Sequence, residues 1–529
     1  MSSSSNNSMS VDITLVDISG KEIAEGTWDG HCKAHELFKA AYKSKPGFLC
    51  KLLHGSQELS PQSDLASLCQ NNNNSNNIDN NNSNNNNDNF CHLTVVWMRG
   101  AVHKTQFGVH PAFAAIKSDG SVITWGDAAR GGDSSRIEHR LQEGVVQVVG
   151  NDYAFAAVKS DGSVITWGDG AKGGDSSRVE HRLQKGVVQV VGSGISFAAI
   201  KSDGSVITWG DAARGGDSSR VGHGLQECVA QVVGNGYAFA AVKSDGSVIT
   251  WGVADRGGDS SRVEHRLQEG IVQVVGTCWA FAAVKSDGSV ITWGVAARGG
   301  VSSPRVERRL QEGVVQVVGN DCAFAAVKSD GSVITWGDGA KGGDSSRVEH
   351  RLRKGVVQVV CTFGAFAAVK SDRSVITWGE AAEGGDSVRV EHRLKEGVVQ
   401  VVGNSYAFAA VKSDGSVITW GDAAKGGDSV RVEQRLQEGV VQVVGTFGAF
   451  AAVKSDGSVI TWGDAAVGGD SSLVELRLQE GVVQVVGAFW AFAAVKSDGS
   501  VITWGDAARG GDSSRVEHRF QEDVNGVVC

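Results

Sequence analysis

Histidine invites a chemical reading first, because it recurs at fixed places. His139, His181, His223, His265, His350, His392 and His518 stand at one position of a repeated motif, Arg-Val-Glu-His-Arg-Leu in its commonest form. A side chain that titrates near neutrality serves as a metal ligand or a general acid–base. The remaining copies, however, carry Arg308, Gln434 and Leu476 there. A ligand or a base is not interchangeable with leucine, so these histidines read as solvent-facing polar positions.

Other candidates fall on their spacing. Gly168-Asp-Gly-Ala-Lys-Gly-Gly174 has the glycine content of a phosphate-cradling loop, but its lysine precedes the glycine pair and no Lys-Ser/Thr follows. Asp119-Gly120 and its copies lack the alternating oxygens of a calcium loop. His31, Cys32 and His35 begin a possible zinc set with no second pair to complete it. There is no nucleophile elbow, HExxH or dinucleotide fingerprint. The reading is a non-enzymatic chain with no catalytic, cofactor-binding or metal-ligating residues.

The elements behind these residues are copies of one unit. Tryptophan recurs at Trp125, Trp167, Trp209, Trp251, Trp293, Trp336, Trp378, Trp420, Trp462 and Trp504, at intervals of 42 residues, or 43 from Trp293 to Trp336. A fixed period of this length signals a repeat architecture. In each unit Phe-Ala-Ala-Val, the turn Ser-Asp-Gly-Ser and Val-Ile-Thr-Trp-Gly form a hairpin, with Gly free to take positive φ. Arg-Val-Glu-His-Arg-Leu alternates at period two and reads as a third strand, and Val-Val-Gln-Val-Val as a fourth. The fold class expected is mainly β, a β-propeller of ten four-stranded repeats over 101–529. One such unit cannot offset an ordering cost on the order of 60 kcal/mol, so Trp, Phe and Val are expected to pack between units. Ten units are compatible with one large ring, two smaller rings, a ring of seven with three over, or a spiral. The closing residues Asp523–Cys529 resemble the strand missing before Phe113, which favours a ring.

Ahead of the repeats stands a different organisation. Residues 1–10 are a polar, disordered start. Val11–Leu15, Lys21–Gly26, Phe48–Leu53 and Cys91–Met98 read as strands, His31–Lys43 as an amphipathic helix and Asp64–Leu68 as a helical turn. Residues 70–89 are almost all Asn, a low-complexity insertion unable to bury enough apolar surface to order itself. This order is that of a small α+β fold, the β-grasp, over 11–100. VDITLVDISGKEI, KLLHGSQEL and CHLTVVWMRG resemble the opening hairpin, third strand and closing strand of ubiquitin. The chain runs on past Arg99-Gly100, so no free diglycine end exists for conjugation. The resemblance implies partners among ubiquitin receptors or ligase components, with Leu53 at the position of ubiquitin's apolar binding patch.

The repeats carry a second resemblance. VVQVVGNDYAFAAVKSDGSVITWG is similar to the repeat of the regulator of chromosome condensation family, which implies a propeller and, as an alternative function, nucleotide exchange on a small GTPase. The family's usual histidine is replaced by Tyr153, Ile195, Tyr237, Trp279, Cys322, Gly364, Tyr406, Gly448 and Trp490, its loop is reduced to Gly131-Gly132-Asp133 and copies, and its proline persists only as Pro304.

The internal contrast points to a contact surface. Three residues after each Val-Val-Gly vary while the rest of the unit is nearly constant, and they fall at one edge of every unit. Tyr153, Ile195, Tyr237, Trp279, Phe363, Tyr406, Phe447, Phe489 and Trp490 there, together with Leu53, are the candidate protein-binding residues. Composition bounds the rest. A net charge of −9 counts against broad phosphate neutralisation on nucleic acid. No apolar run is long enough to span a membrane, and the start lacks a signal-peptide core. Nine cysteines without regular spacing read as reduced thiols of a cytoplasmic or nuclear protein. The function expected is a protein-interaction scaffold or adaptor.

Overall fold

The computed structural model describes residues 10–17, 22–29, 37, 49–54, 57–59, 90–98, 110–520 and 524–529. The low-complexity stretch 70–89, nearly all of the expected start 1–10, the helical turn 64–68 and, apart from Leu37, the expected helix 31–43 lie outside these residues. The described chain is mainly β. No helix among the described residues is long and apolar enough to cross a membrane.

The N-terminal part forms one five-stranded sheet. β1 (Ser10–Asp17) pairs antiparallel with β2 (Glu22–Asp29) and parallel with β5 (Phe90–Met98). β5 pairs antiparallel with β3 (Leu49–His54), which continues to β4 (Gln57–Leu59), giving the order β2-β1-β5-β3-β4. Val11, Ile13 and Leu15 share one face and are fully buried; on the other face Asp12 is exposed and Thr14 is buried. β4 was not expected, because three residues are too few to display a period.

From residue 110 the chain builds ten three-stranded antiparallel sheets, numbered in chain order from the one holding Phe113 to the one holding Phe492. Sheet three is representative: Val187–Gly192, then Ser196–Lys201, then Val206–Gly210. The turn between its second and third strands places Gly204 at φ +76°, and the Asp203 carboxylate accepts the Ser205 N–H at 2.9 Å. At the same turn in sheet seven, Arg373 is held at φ +63°.

The strand expected third in each unit is a correction. Ser177–Arg182, Arg-Val-Glu-His-Arg included, is a 3₁₀ helix. Its N–H groups are satisfied locally, Val179 donating to Ser176 O at 2.9 Å and Leu183 to Glu180 O at 2.9 Å. Leu183 O accepts from Val164 N of sheet two, and the Arg182 guanidinium reaches Val206 O of sheet three. The segment is thus a wedge between the outer strands of neighbouring sheets, with Leu183 buried between them. It covers edges that would otherwise stand open. The alternation that suggested a strand reflects one buried leucine and one half-buried valine on a helical turn. All seven histidines of the motif lie exposed on these wedges. In the longer unit the wedge is a true α-helix, Pro304–Arg309, started by Pro304 behind the N-cap Ser303.

All ten sheets form one circuit. Each apolar core lies between two successive sheets, and the tenth joins sheet ten to sheet one through Ala491, Val495, Phe520, Phe113 and Trp125. Every repeat tryptophan donates its indole N–H to a glycine carbonyl of the preceding unit, as Trp251 does to Gly215 O at 3.0 Å. Trp125 completes the series by donating to Gly510 O at 3.2 Å, 385 residues away. The last strand, Val524–Val528, pairs with Ala112–Lys117 and supplies sheet one's missing strand. First strands of successive sheets adjoin one another, Cys361 Sγ lying 3.5 Å from Gly319 O and Cys529 Sγ 3.3 Å from Gly487 O. They form the innermost layer, and the wedges form the rim. This is the radial repetition of a propeller.

A belt of ion pairs runs round the rim, each wedge arginine reaching the next wedge's glutamate. Arg351–Glu391 is 2.9 Å, Arg477–Glu517 2.8 Å, and Arg519–Glu138 closes the circle at 2.9 Å. It is interrupted in one place, where Gly222 and Gly224 replace the glutamate and arginine of the wedge between sheets three and four.

Candidate functional site: the junction face

In sheets two to ten the inner strand ends at the three variable residues, and the middle strand begins after them. The nine such junctions therefore share one face of the ring, and in sheet one His110 and Pro111 lead into the middle strand at the same place. The short 3₁₀ turn that follows each outer strand, Ala128–Arg130 in the first unit, comes up on the same face.

The three positions have different jobs. The first is structural and buried, and reading it as free variation was mistaken. Asn151 Oδ1 accepts the N–H groups of Tyr153 and Ala154, each at 2.8 Å, while its Nδ2 donates to Lys172 O at 2.8 Å. Asn235, Asn320 and Asn404 repeat this. Thr362 and Thr446 hold the same turn through their hydroxyls. In sheet one His110, one residue nearer the strand, takes over part of this role, its Nδ1 accepting the Ala112 N–H at 3.2 Å. Burial pushes the His110 imidazole down to about 4, and its Nε2 has no partner among the described residues.

The second and third positions carry the candidate contacts. Tyr153 is half-buried beneath Arg130 at 4.4 Å and Lys172 at 3.6 Å from its ring centre. Tyr237 and Trp279 pair at 5.3 Å, and the Arg256 guanidinium lies 3.9 Å from one ring and 4.4 Å from the other. Phe363, Tyr406, Phe447, Phe489 and Trp490 form one continuous cluster, with Tyr406–Phe447 at 4.9 Å and Phe447–Phe489 at 4.4 Å. Arg509 caps Trp490 at 4.2 Å. Ile195 is different: at 6% exposure it is buried and presents little surface. Leu53 lies on β3 opposite Glu58 and Thr94, and its side chain is outside the described residues.

The cations were missed in the sequence. Arg130, Lys172, Arg214, Arg256, Arg298, Lys341, Lys425 and Arg509 occupy one repeat position, the last residue of the short turn, and Glu383 and Val467 take the other two. Their signal was available, since this position varies between units, but it was absorbed into the reading of a loop. Most are neutralised locally, as Lys172 is by Asp169 at 3.2 Å and Arg509 by Asp506 at 3.3 Å. Arg256 is not: Val253 replaces the aspartate that caps the turn, and no carboxylate pairs with it among the described residues.

One acidic pocket of charge interrupts the ring of cations. Glu383 is buried and pairs with Lys341 at 2.9 Å. Burial, then the Glu383 carboxylate, pushes Asp321 up to about 7. Burial likewise raises the Cys278 thiol, whose sulfur is 4.0 Å from Asp321 Oδ1. A thiol held protonated is a poor nucleophile and a poor ligand. Among the described residues no group of three or more His, Cys, Asp or Glu is placed to hold a metal.

Comparison with known proteins gives the face no assigned role. No family model matches the chain, and no curated protein matches it. Among solved structures, human WBSCR16 is similar at 18% identity and a TM-score of 0.31 over 49% of this chain and 83% of that one. Prp20p from Saccharomyces cerevisiae, a structure described with its binding to Gsp1p and histones, is similar at 14% identity and a TM-score of 0.30 over 51% and 81%. The computationally designed Ika8 protein is similar at 14% identity, with a TM-score of 0.30 over 60% and 96%. Likenesses at scores near 0.3 carry no argument about this chain.

Proposed function

We propose that the chain is a non-enzymatic interaction scaffold: a ten-bladed propeller whose junction face receives a partner protein, joined to a β-grasp domain that addresses a ubiquitin-receptor or ligase component. The observation that carries the first half is Arg256 between Tyr237 and Trp279. Two half-exposed aromatic rings and an unneutralised guanidinium form a rigid anchor of the kind that dominates protein interfaces. The Phe363–Trp490 cluster, beyond the junction of sheet six on the same face, adds apolar surface. The second half is supported by the strand order β2-β1-β5-β3-β4, with its parallel central pair, which is the order of the β-grasp.

The test is affinity capture with the full chain, comparing wild type with Arg256→Glu, Trp279→Ala and Leu53→Ala. Partners of the junction face drop out with the first two variants, and partners of the small domain with the third. If every captured protein is retained by all three variants, the scaffold reading fails. The alternative is nucleotide exchange on a small GTPase, implied by the repeat resemblance. It makes a different claim, that the chain accelerates nucleotide release, and the same variants serve in that assay.

A further inference from the structure

The ten repeats act as controls for one another, and one unit departs from them in a single direction. Before the inner strand, seven units carry Gln-Glu, as at Gln311-Glu312. Sheet seven carries Arg353-Lys354 instead. In the hairpin turn, nine units have glycine, and sheet seven has Arg373. Together these changes move the local charge by four units in the positive direction, within a chain whose net charge is −9.

The fold brings the three changes together. The inner strand Val356–Cys361 starts at the end of the sheet where the turn 371–374 lies, and Ser371 N donates to Gly355 O at 2.8 Å. Arg353, Lys354 and Lys370 line one cleft of about 360 Å³, together with His350 and Arg351 from the wedge and Ser374 from the turn. Arg373 stands in that turn, its N–H bonded to Lys370 O at 2.8 Å. Its left-handed φ of +63° is a conformation that costs a non-glycine residue on the order of 1 kcal/mol, so arginine sits here at the expense of stability.

The charge is not consumed internally. Arg351 is engaged by Glu391 at 2.9 Å, and Asp372 is engaged by Ser374, whose hydroxyl it accepts at 2.6 Å. Among the described residues no carboxylate pairs with Arg353, Lys354 or Arg373. Arg353 and Lys354, which line the cleft, are exposed, and so is Arg373 in the turn beside it. Guanidinium forks and ammonium point charges around one small cleft are the donor set for a multiply charged tetrahedral oxyanion. The volume is at the low end for a ligand site and admits a head group more readily than a large molecule.

We propose that this cleft, at the opposite end of the strands from the junction face, is an anion site that takes a phosphoryl group. Arg353, Lys354 and Arg373 supply the charge, with Lys370 behind them. The phosphoryl group belongs either to a small phosphate compound or to a phosphorylated side chain of a partner protein.

The experiment is calorimetric titration of the full chain at low ionic strength with three probes: inorganic pyrophosphate, a phosphoserine peptide and the same peptide with glutamate in place of phosphoserine. The comparison protein is the triple variant Arg353→Gln, Lys354→Glu, Arg373→Gly, which restores residues that other units already tolerate. Saturable binding by wild type, weakened about tenfold or more in the variant, is expected because charge-assisted contacts to the anion are lost. Binding of pyrophosphate assigns the phosphoryl group to a small compound. Binding of the phosphopeptide without pyrophosphate assigns it to a partner side chain. The proposal is overturned if neither phosphoryl probe saturates, if the variant binds them as wild type does, or if the glutamate peptide binds as tightly as its phosphorylated form. Melting temperatures of the two proteins establish that both are folded.

Discussion

His110 does in sheet one part of what asparagine does in four other sheets, accepting one backbone N–H at the start of the middle strand, and it does it with a titratable ring. Its imidazole is fully buried and held neutral, down to about 4 against an ordinary value of 6.5. The unfolded chain therefore binds a proton that the folded chain refuses, and stability falls as pH drops from 6.5 towards 4. The loss accumulates to roughly 3 kcal/mol. His110→Asn, which keeps the turn acceptor seen at Asn151, is expected to flatten this dependence. Denaturant unfolding at pH 7 and pH 4.5 checks it: wild type loses stability between the two, and the variant loses measurably less. The turn aspartates act lower on the scale. The Ser121 hydroxyl and N–H hold Asp119 below the ordinary carboxylate range, and the same arrangement recurs at Asp330 and Asp498. Their contribution is present above that range and vanishes as pH falls through their depressed values. At this scale the sequence was legible where the backbone dictates the residue, as it does for Gly204 at φ +76° in the Asp-Gly turn. It was illegible where different residues do one job: Asn151, Thr362 and His110 look like drift until the shared backbone N–H groups they accept are seen.

Among elements, the hairpins could be read from the chain and the wedges could not. Phe, Trp and the Asp-Gly turn fix strand ends by stacking and by positive φ, both visible in residue type. The wedge is decided by its neighbours, since Leu183 must drop between two sheets and the Val164 N–H must find its carbonyl. No local pattern distinguishes that from an edge strand. The indole bonds give the hairpins their coupling to one another. Trp251→Phe keeps the stack on Phe239 at 5.3 Å and orphans Gly215 O. A loss of about 1–2 kcal/mol is expected, measured by denaturant midpoint with an unchanged slope. The interrupted belt allows the reverse change. Gly222→Glu places a carboxylate opposite Arg182, and its added Cβ meets only Ser219 O, at 3.3 Å, and more distant atoms. The gain is a few tenths of a kcal/mol, about the worth of an exposed pair, and it disappears in high salt. A gain that persists in high salt would show that removing a flexible glycine, rather than the ion pair, is responsible.

On the scale of the whole molecule, the copy number left several assemblies open and the chain ends decided among them. Val524–Val528 pairs with Ala112–Lys117, and Phe520 and Val527 fill the core between sheets ten and one. Removing residues 524–529 exposes the edge of Ala112–Lys117 and opens that core, so closure fails at one seam. The truncated chain is expected to melt well below wild type and to self-associate through the bare edge, seen by thermal scanning and size-exclusion chromatography. A truncated chain that melts as wild type does would mean that closure contributes nothing. Because constant scaffold and varied edge are separated in every copy, the varied residues line up on one face. Its cations were overlooked because they lie some twenty residues further along the chain, and only the fold returns them to the aromatics.

The seam also makes the order of the repeats in the chain arbitrary. Every sheet meets its neighbours through the same stack, the same indole bond and the same wedge, and the first and last segments share sheet one. A circular permutant, cut in the loop after one outer strand and joined across the original ends by a linker, would present each sheet with the neighbours it already has. The ring has ten equivalent places to begin, and the gene uses one of them.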